Sequence, residues 1–298
     1  MGVPRVTVAI PVYNGAETLQ RCLASVFRQT YQDFEVLVVD DGSTDGSADI
    51  AERSGCRVVR QGRLGNGAAR RRLVEESRTE LIAWIDSDDE WEPNKLEVQV
   101  PVHDDESVVL SHTSGIHVLP NGSTFPHPVY PGPDDYAIDH LLPINRVLGP
   151  SGIFRRDKMI EAGNFDHRPK VGCEYFGNMR LSKMGKFVFL PERLYRYHEH
   201  ENQMSVKSYG YRLKEMECFG YLLDEMPTIV ENLPERDRRK YVRYMRQRIG
   251  WSAQQAAEFL RKEKTNKREY IRLLWKSAVY APTYKRYWYN AVRSLLFW

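Results

Sequence analysis

Two short blocks, Asp40-Asp41-Gly42-Ser43 and Asp86-Ser87-Asp88-Asp89, crowd five carboxylates into this 298-residue chain. Acids packed so closely repel one another, and their natural company is a cation or a hydrogen-bond donor. An oxygen-liganded divalent metal with a bound diphosphate is a fitting partner for the second block. The first block has a competing reading, since an isolated Asp-Asp-Gly-Ser is also a helix N-cap with its preceding turn. Tyr13, in Pro11-Val12-Tyr13-Asn14, offers a ring that stacks on a nucleotide base, or else marks a plain strand-exit turn.

Chemistry at these positions requires elements that present them. Each acidic block directly follows an apolar run, Phe34–Val39 and Leu81–Ile85. Short apolar runs bounded by turn residues read as buried strands. Carboxylates at their ends project into the crevice at the carboxyl edge of a sheet, where open α/β proteins bind ligands. The first hundred residues predict strands at Val6–Val12, Phe34–Asp40, Cys56–Gln61 and Leu81–Asp86. Between and after them come helices at Ala16–Gln29, Asp45–Ser54, Ala68–Ser77 and Pro93–Val102. Leu19, Cys22, Leu23, Val26 and Phe27 form one buried stripe on the first helix. Strands separated by single helices imply parallel pairing with right-handed crossovers, a doubly wound α/β sheet.

Beyond Val108 the pattern loosens. Val108–His112 and Gly115–Leu119 read as strands joined by a turn, and 120–136 as loop. Arg156–Ala162 and Glu174–Met184 read as helices, Phe187–Leu190 and Leu194–Tyr197 as strands. After Met204 the chain is helical, basic and aromatic. This divides it into residues 1–205, with halves at 1–102 and 103–205, and an extension at 206–298.

The net charge of +3 is too small to imply nucleic acid, but it is unevenly spread. Residues 206–298 hold 20 Lys/Arg against 10 Asp/Glu, a net of +10, leaving −7 for the first 205. Cys22, Cys56, Cys173 and Cys218 form no CxxC pair, which argues against a zinc site and suits a reducing compartment. No run approaches the roughly 20 apolar residues that cross a bilayer. The expected location is cytoplasmic, with peripheral attachment to the inner membrane face as an option.

Taken together, IPVYN, QTYQDFEVLVVDDGSTDGS, GRLGNGAAR and LIAWIDSDDEWEPNKLE, in this order and spacing over residues 6–97, resemble family 2 glycosyltransferases of the GT-A fold. A weaker match continues through Gly152–Arg156, Gly163–Asp166, Glu174 and Phe189–His198. The resemblance implies a GT-A-type, mainly parallel sheet flanked by helices, with a helical C-terminal extension. It implies a nucleotide-binding half at 1–102 and an acceptor half at 103–205. The implied reaction moves a sugar, with inversion, from a nucleotide-diphosphate sugar to a hydroxyl, as in cell-surface polysaccharide or glycoconjugate synthesis. A UDP-sugar is the favoured donor, and a glycan or lipid-linked molecule the acceptor.

By position, Pro11, Tyr13 and Asp41 resemble the base and ribose contacts, with Glu17 a weaker candidate. A carboxylate at Asp41 suits the N3–H of uracil. Arg70 resembles the family arginine near the nucleotide, although Arg71 follows where the family has Asn. Asp86, Ser87, Asp88 and Asp89 resemble the block that holds the diphosphate and Mn²⁺ or Mg²⁺; Asp86 and Ser87 would touch nucleotide, and Asp86, Asp88 and Asp89 metal. Glu174 falls at the catalytic-base position, with Cys173 where the family has Glu; a first-turn helix acid is the competing reading. Asp166 is the next candidate base. His198 and His200, two apart on a strand, would face one side as joint metal ligands.

Two other functions compete. A nucleotidyltransferase would need a Gly-rich phosphate loop after the first strand, where Pro11–Asn14 stand instead. A non-catalytic nucleotide-sugar-binding or scaffold protein is compatible with Cys173-Glu174. Tyr270, Trp275, Tyr280, Tyr284, Tyr287, Trp288, Tyr289, Phe297 and Trp298 mix with Lys276, Lys285, Arg286 and Arg293 in the tail. That mixture suits a membrane interface, packing on the catalytic body, or a homodimer contact.

Overall fold

Four parallel strands carry the first half: β1 (Val6–Val12), β2 (Phe34–Asp40), β3 (Arg57–Arg60) and β4 (Leu81–Trp84). Helices α1 (Ala16–Phe27), α2 (Ser47–Arg53) and α3 (Asn66–Glu76) connect them, and the pairing order is β3-β2-β1-β4. Every residue of β1 and β4 is buried, as in a strand covered on both faces. Leu19, Cys22, Leu23 and Val26 of α1 close one face over Val6, Val8 and Ile10. Burying one such Leu or Ile side chain stabilises the fold by roughly 1.5–3 kcal/mol. The computed structural model describes residues 2–127, 141, 147–200, 203 and 208–296, with backbone only at 295 and 296. The predicted loop at 128–136, the helical onset at Met204, and Phe297 and Trp298 lie outside the described residues.

The sheet continues with strands that sequence patterning divided differently. After β5 (Glu90–Trp91) come α4 (Lys95–Gln99) and a 3₁₀ turn at Val100–Asp104. Val108–Val118 is a single strand, β6, rather than two strands and a turn. Its pairing with β9 (Lys186–His198) shifts register around Ser114 and Gly115, so the turn signal there belongs to a bulge. Gly115 is needed at this point: a Cβ would lie 2.3 Å from the Tyr195 ring. Strand β9 likewise runs unbroken through Pro191. Thr113 pairs with Leu190 and Ser114 with Arg193, so Pro191 and Glu192 bulge out where a missing N–H costs nothing. Within the expected loop, β7 (Thr124–Pro126) pairs antiparallel with β6. Strand β8 (Ile153–Arg155), absent from the sequence reading, inserts antiparallel between β4 and β6. Helices α5 (Arg156–Glu161) and α6 (Cys173–Leu181) complete this part.

The chain divides into two compact units, residues 1–167 with 173–200, and residues 168–172 with 201–298. The second consists of α7 (Tyr209–Ile229), α8 (Glu235–Glu263), α9 (Lys267–Tyr280) and α10 (Lys285–Leu296). Gly250 lets α8 approach the end of α9, since a Cβ would sit 2.7 Å from Ala281 Cβ and 2.9 Å from the Ser277 carbonyl. Among the described residues, no helix is long and apolar enough to cross a membrane. All four cysteines are free thiols.

Candidate active site

The turn after β1 and the turn after β2 are tied together. Asn14, at φ 48°, accepts a hydrogen bond from the Thr44 N–H at 2.9 Å and donates its own N–H to Ser43 Oγ at 2.9 Å. Pro11 is buried in β1, while Tyr13 stands exposed beyond it. Asp41 is buried, and its carboxylate accepts from Gln61 Nε2 at 2.7 Å, Leu64 N–H at 2.9 Å and Gly65 N–H at 2.8 Å. These three bonds fold the glycine-rich segment back over the strand ends. They bring Arg63, which sequence reading did not single out, to 4.3 Å above the Tyr13 ring. Its signal was only its place in that segment. Glu17 is exposed in the first turn of α1 and hydrogen-bonds to none of these residues.

Arg70, on α3, is the hub of the site. Its wholly buried guanidinium donates to Asp86 Oδ1 at 2.6 Å, and to Glu174 Oε2 and Cys173 Sγ at 3.4 Å each. It also lies 4.3 Å over the Trp84 ring. Gly67 makes this reach feasible: a Cβ there would stand 2.6 Å from the Asp166 carbonyl and 3.4 Å from Cys173 Cβ. Arg71 turns elsewhere, to Glu75 at 2.9 Å. Asp166 is buried and paired with Arg180 at 3.2 Å. Gly149 lies close on the other side, where a Cβ would come 2.7 Å from Asp86 Oδ2.

Glu174 is the second residue of α6. Its carboxylate also accepts from the Cys173 thiol at 3.2 Å. Burial pushes the Glu174 carboxyl up, but Arg70, its own backbone N–H and the Cys173 thiol outweigh that and hold it below the ordinary range. Asp86 goes the other way: burial, with Asp88 and Glu174 adding, raises it to about 6 against the pull of Arg70. Burial and Glu174 push the Cys173 thiol up to about 12.

The acidic block divides into separate tasks. Asp89 is buried, and its Oδ1 accepts the His198 backbone N–H at 3.0 Å, fastening the end of β9 to the turn. Burial, with Asp88 and Asp86, raises its carboxyl well above the usual range. Asp88 pairs with His200 Nε2 at 2.9 Å, and its carbonyl accepts from Arg21 Nη2 at 2.6 Å. His198 Nε2 lies 2.7 Å from Glu90. Strand β9 ends at His198, and the two histidines pair with different acids, His198 with Glu90 and His200 with Asp88. Ser87 lies beside Gly15, whose Cβ would be 3.2 Å from Ser87 Oγ. Among the described residues, no three His, Cys, Asp or Glu side chains gather as a ready metal cage. The donor chemistry nonetheless fits a hard cation. Asp86 and Asp88 are partly accessible carboxylates on one turn, hard oxygen donors of the kind such an ion takes. Mg²⁺-like ions bind through one or two carboxylates plus substrate phosphates, without an all-protein cage.

The family pattern described as "Glycosyl transferase family 2" matches residues 7–161. EpsH of Bacillus subtilis (strain 168), which carries a provisional glycosyltransferase name, is 29% identical over 215 residues; the match covers 67% of this chain and 62% of that protein. The uncharacterized glycosyltransferase alr2836 of Nostoc sp. (strain PCC 7120) is 35% identical over 224 residues, covering 68% of each. The crystal structure of S. aureus TarS 1-349 in complex with UDP-GlcNAc superposes with a TM-score of 0.70 at 18% identity, over 93% of this chain and 82% of that one. At that identity the likeness speaks for the fold.

Proposed function

Because the chain belongs to glycosyl transferase family 2 and has the GT-A fold, we propose that it transfers a sugar, with inversion, from a nucleotide-diphosphate sugar to a hydroxyl acceptor. The observation that carries this reading is the single buried side chain of Arg70, which spans Asp86 and Glu174. The leaving diphosphate would lie on the Asp86 side and the attacking hydroxyl at Glu174. The favoured donor is a UDP-sugar. Tyr13 would stack on the base with Pro11 behind it, and Asp86 and Ser87 would face the nucleotide. The buried Asp41 would shape the base pocket through the 61–65 loop, with accepting capacity left for the uracil N3–H. Residues 1–102 would form the nucleotide-binding half, 103–205 the acceptor half, and 206–298 the extension.

In the reaction, the acceptor oxygen bonds to the anomeric carbon while the bond to the diphosphate oxygen breaks. The electron pair leaves with the nucleoside diphosphate. Glu174 receives the hydroxyl proton on its carboxylate. Arg70 keeps that carboxylate ionised and aimed, and Trp84 fixes Arg70 from its other side. Asp86 and Asp88 would hold a Mn²⁺ or Mg²⁺, which would supply positive charge to the developing diphosphate. Asp89 would support that site by holding the turn. His198 would do so through Glu90. An acceptor in cell-surface polysaccharide or glycoconjugate synthesis, and peripheral membrane attachment through α10, complete the proposal.

The test is release of nucleotide from a panel of UDP- and GDP-sugars with Mn²⁺, with Mg²⁺ and in EDTA. Metal-dependent turnover of a UDP-sugar is expected, and Asp88→Asn should lower it by at least ~100-fold. Full activity in EDTA would remove the metal. A donor that binds without turnover, with every acceptor class tried, would favour a non-catalytic nucleotide-sugar-binding protein.

A further inference from the structure

Along one face of α8, Arg236, Arg239, Lys240, Arg243 and Arg246 recur at helical spacing, all exposed. At 1.5 Å rise per residue this row is about 15 Å long and presents at least one cation per turn. Two cavities border it, one of 670 Å³ and one of 530 Å³, and they share Arg239, Arg243 and Gln247. The second has an apolar wall that includes Val230, Val242, Tyr280 and Pro282. Among the described residues, Glu235 is the one acid lining either cavity, and it is already paired with Arg238 at 3.2 Å and Arg239 at 2.7 Å. Among the described residues, Arg243 and Arg246 make no hydrogen bond or ion pair.

Like charges three and four apart on a helix are mutually destabilising. A row in which Arg239 has a close acidic partner, Glu235, but Arg243 and Arg246 have none among the described residues is therefore fitted to an external anion. A bilayer would meet these cations on a flat or convex face, whereas Arg239, Arg243 and Arg246 line a groove whose other wall includes Val230, Tyr280 and Pro282. We propose that this groove binds a linear polyanionic glycan. Its acidic groups would follow the arginine row, and its sugar faces would lie against Val242, Tyr280 and Pro282. The binding site stands apart from the chemistry at Glu174; only its use for an acceptor polymer rests on the proposed reaction.

Labelled dextran sulfate, with neutral dextran as the uncharged control, tests this by fluorescence anisotropy on the full-length protein. Wild type should bind dextran sulfate, release it as salt rises, and ignore neutral dextran. Arg239→Ala/Arg243→Ala/Arg246→Ala should weaken binding by at least ~10-fold, and Arg243→Gln alone by a smaller, measurable factor. Lys262→Ala/Lys267→Ala/Arg268→Ala removes the same charge from exposed sites off the groove and should stay within roughly twofold of wild type. UDP binding and donor hydrolysis should be unchanged in all variants, so that failure of the groove is distinguishable from failure of the transferase reading. Equal weakening by both triple substitutions would reduce the effect to diffuse charge and overturn the proposal. So would loss of sedimentation with phosphatidylglycerol vesicles while dextran sulfate binding persists.

Discussion

Arg70 is shared between Asp86 and Glu174, so the state of either acid is felt by the other through one guanidinium. Glu174→Gln keeps the shape but removes basicity. Transfer should fall ~10²–10⁴-fold while calorimetric UDP affinity is kept; transfer at the wild-type rate would move the base elsewhere. Arg70 and the Cys173 thiol hold the Glu174 carboxyl below its ordinary value of 4.5. Its favourable ionised form is therefore present above that pH and lost only as pH falls through the lower folded value. No acid limb from this group should appear in the transfer rate above pH 4.5, and Arg70→Gln should bring one up into view. Coincident profiles would show that Arg70 does not set the base. Asp41 carries a different prediction. Read from the sequence, it resembles a base contact. With three donors on its carboxylate, Asp41→Ala should cost stability as well as UDP affinity, roughly 1–3 kcal/mol for buried donors left unpaired. An unchanged urea midpoint would mean that the 61–65 loop is held by other contacts.

The short helix α4 carries the least expected group among the elements. Lys95 is wholly buried, donating to Gln99 Oε1 at 2.5 Å and to the Ser151 carbonyl at 3.0 Å, with Nζ 5.1 Å from the Trp91 ring centroid. It thereby joins the helix to the turn before β8. Burial pulls its ammonium from 10.5 down to about 7. Between those two values the unfolded chain binds a proton that the folded chain has shed, so this group makes stability rise with pH across that window. Lys95→Met should flatten that slope in a melting series from pH 7 to 10.5. An unaltered slope would show that Lys95 titrates as an ordinary amine. The same region shows where local pattern misleads: Thr113-Ser114 and Pro191 read as strand breaks but lie at register shifts inside β6 and β9. What decides there is the partner strand and the Tyr195 ring, neither of which is local.

At the scale of the molecule, charge and exposed apolar surface concentrate in the C-terminal unit. On α10, Trp288, Tyr289 and Val292 are exposed, and Lys285, Arg286 and Arg293 lie on the same helix. If this face meets anionic membranes, Trp288→Ala/Tyr289→Ser/Val292→Ser should abolish sedimentation with anionic vesicles while leaving donor hydrolysis and helicity intact. Undiminished sedimentation would leave these residues to a homodimer contact or to solvent. Truncation before Tyr270 would be a poorer test, since it removes Leu273, Leu274 and Ala278, which are buried in the bundle. The sequence by itself determined the βα alternation of residues 6–97 and the acids at strand ends, because helix and strand periods and turn residues are local properties. It also determined the acidic first part and basic extension, since charge is additive along a chain. Only the tertiary structure decided that Asp41 also holds the 61–65 loop, that Asp89 is buried, and that His198 and His200 pair with different acids. It alone decided that Arg70 reaches across 104 positions to Glu174. Which donor meets which acceptor depends on chain closure and on space left by residues such as Gly67, and no local period encodes that.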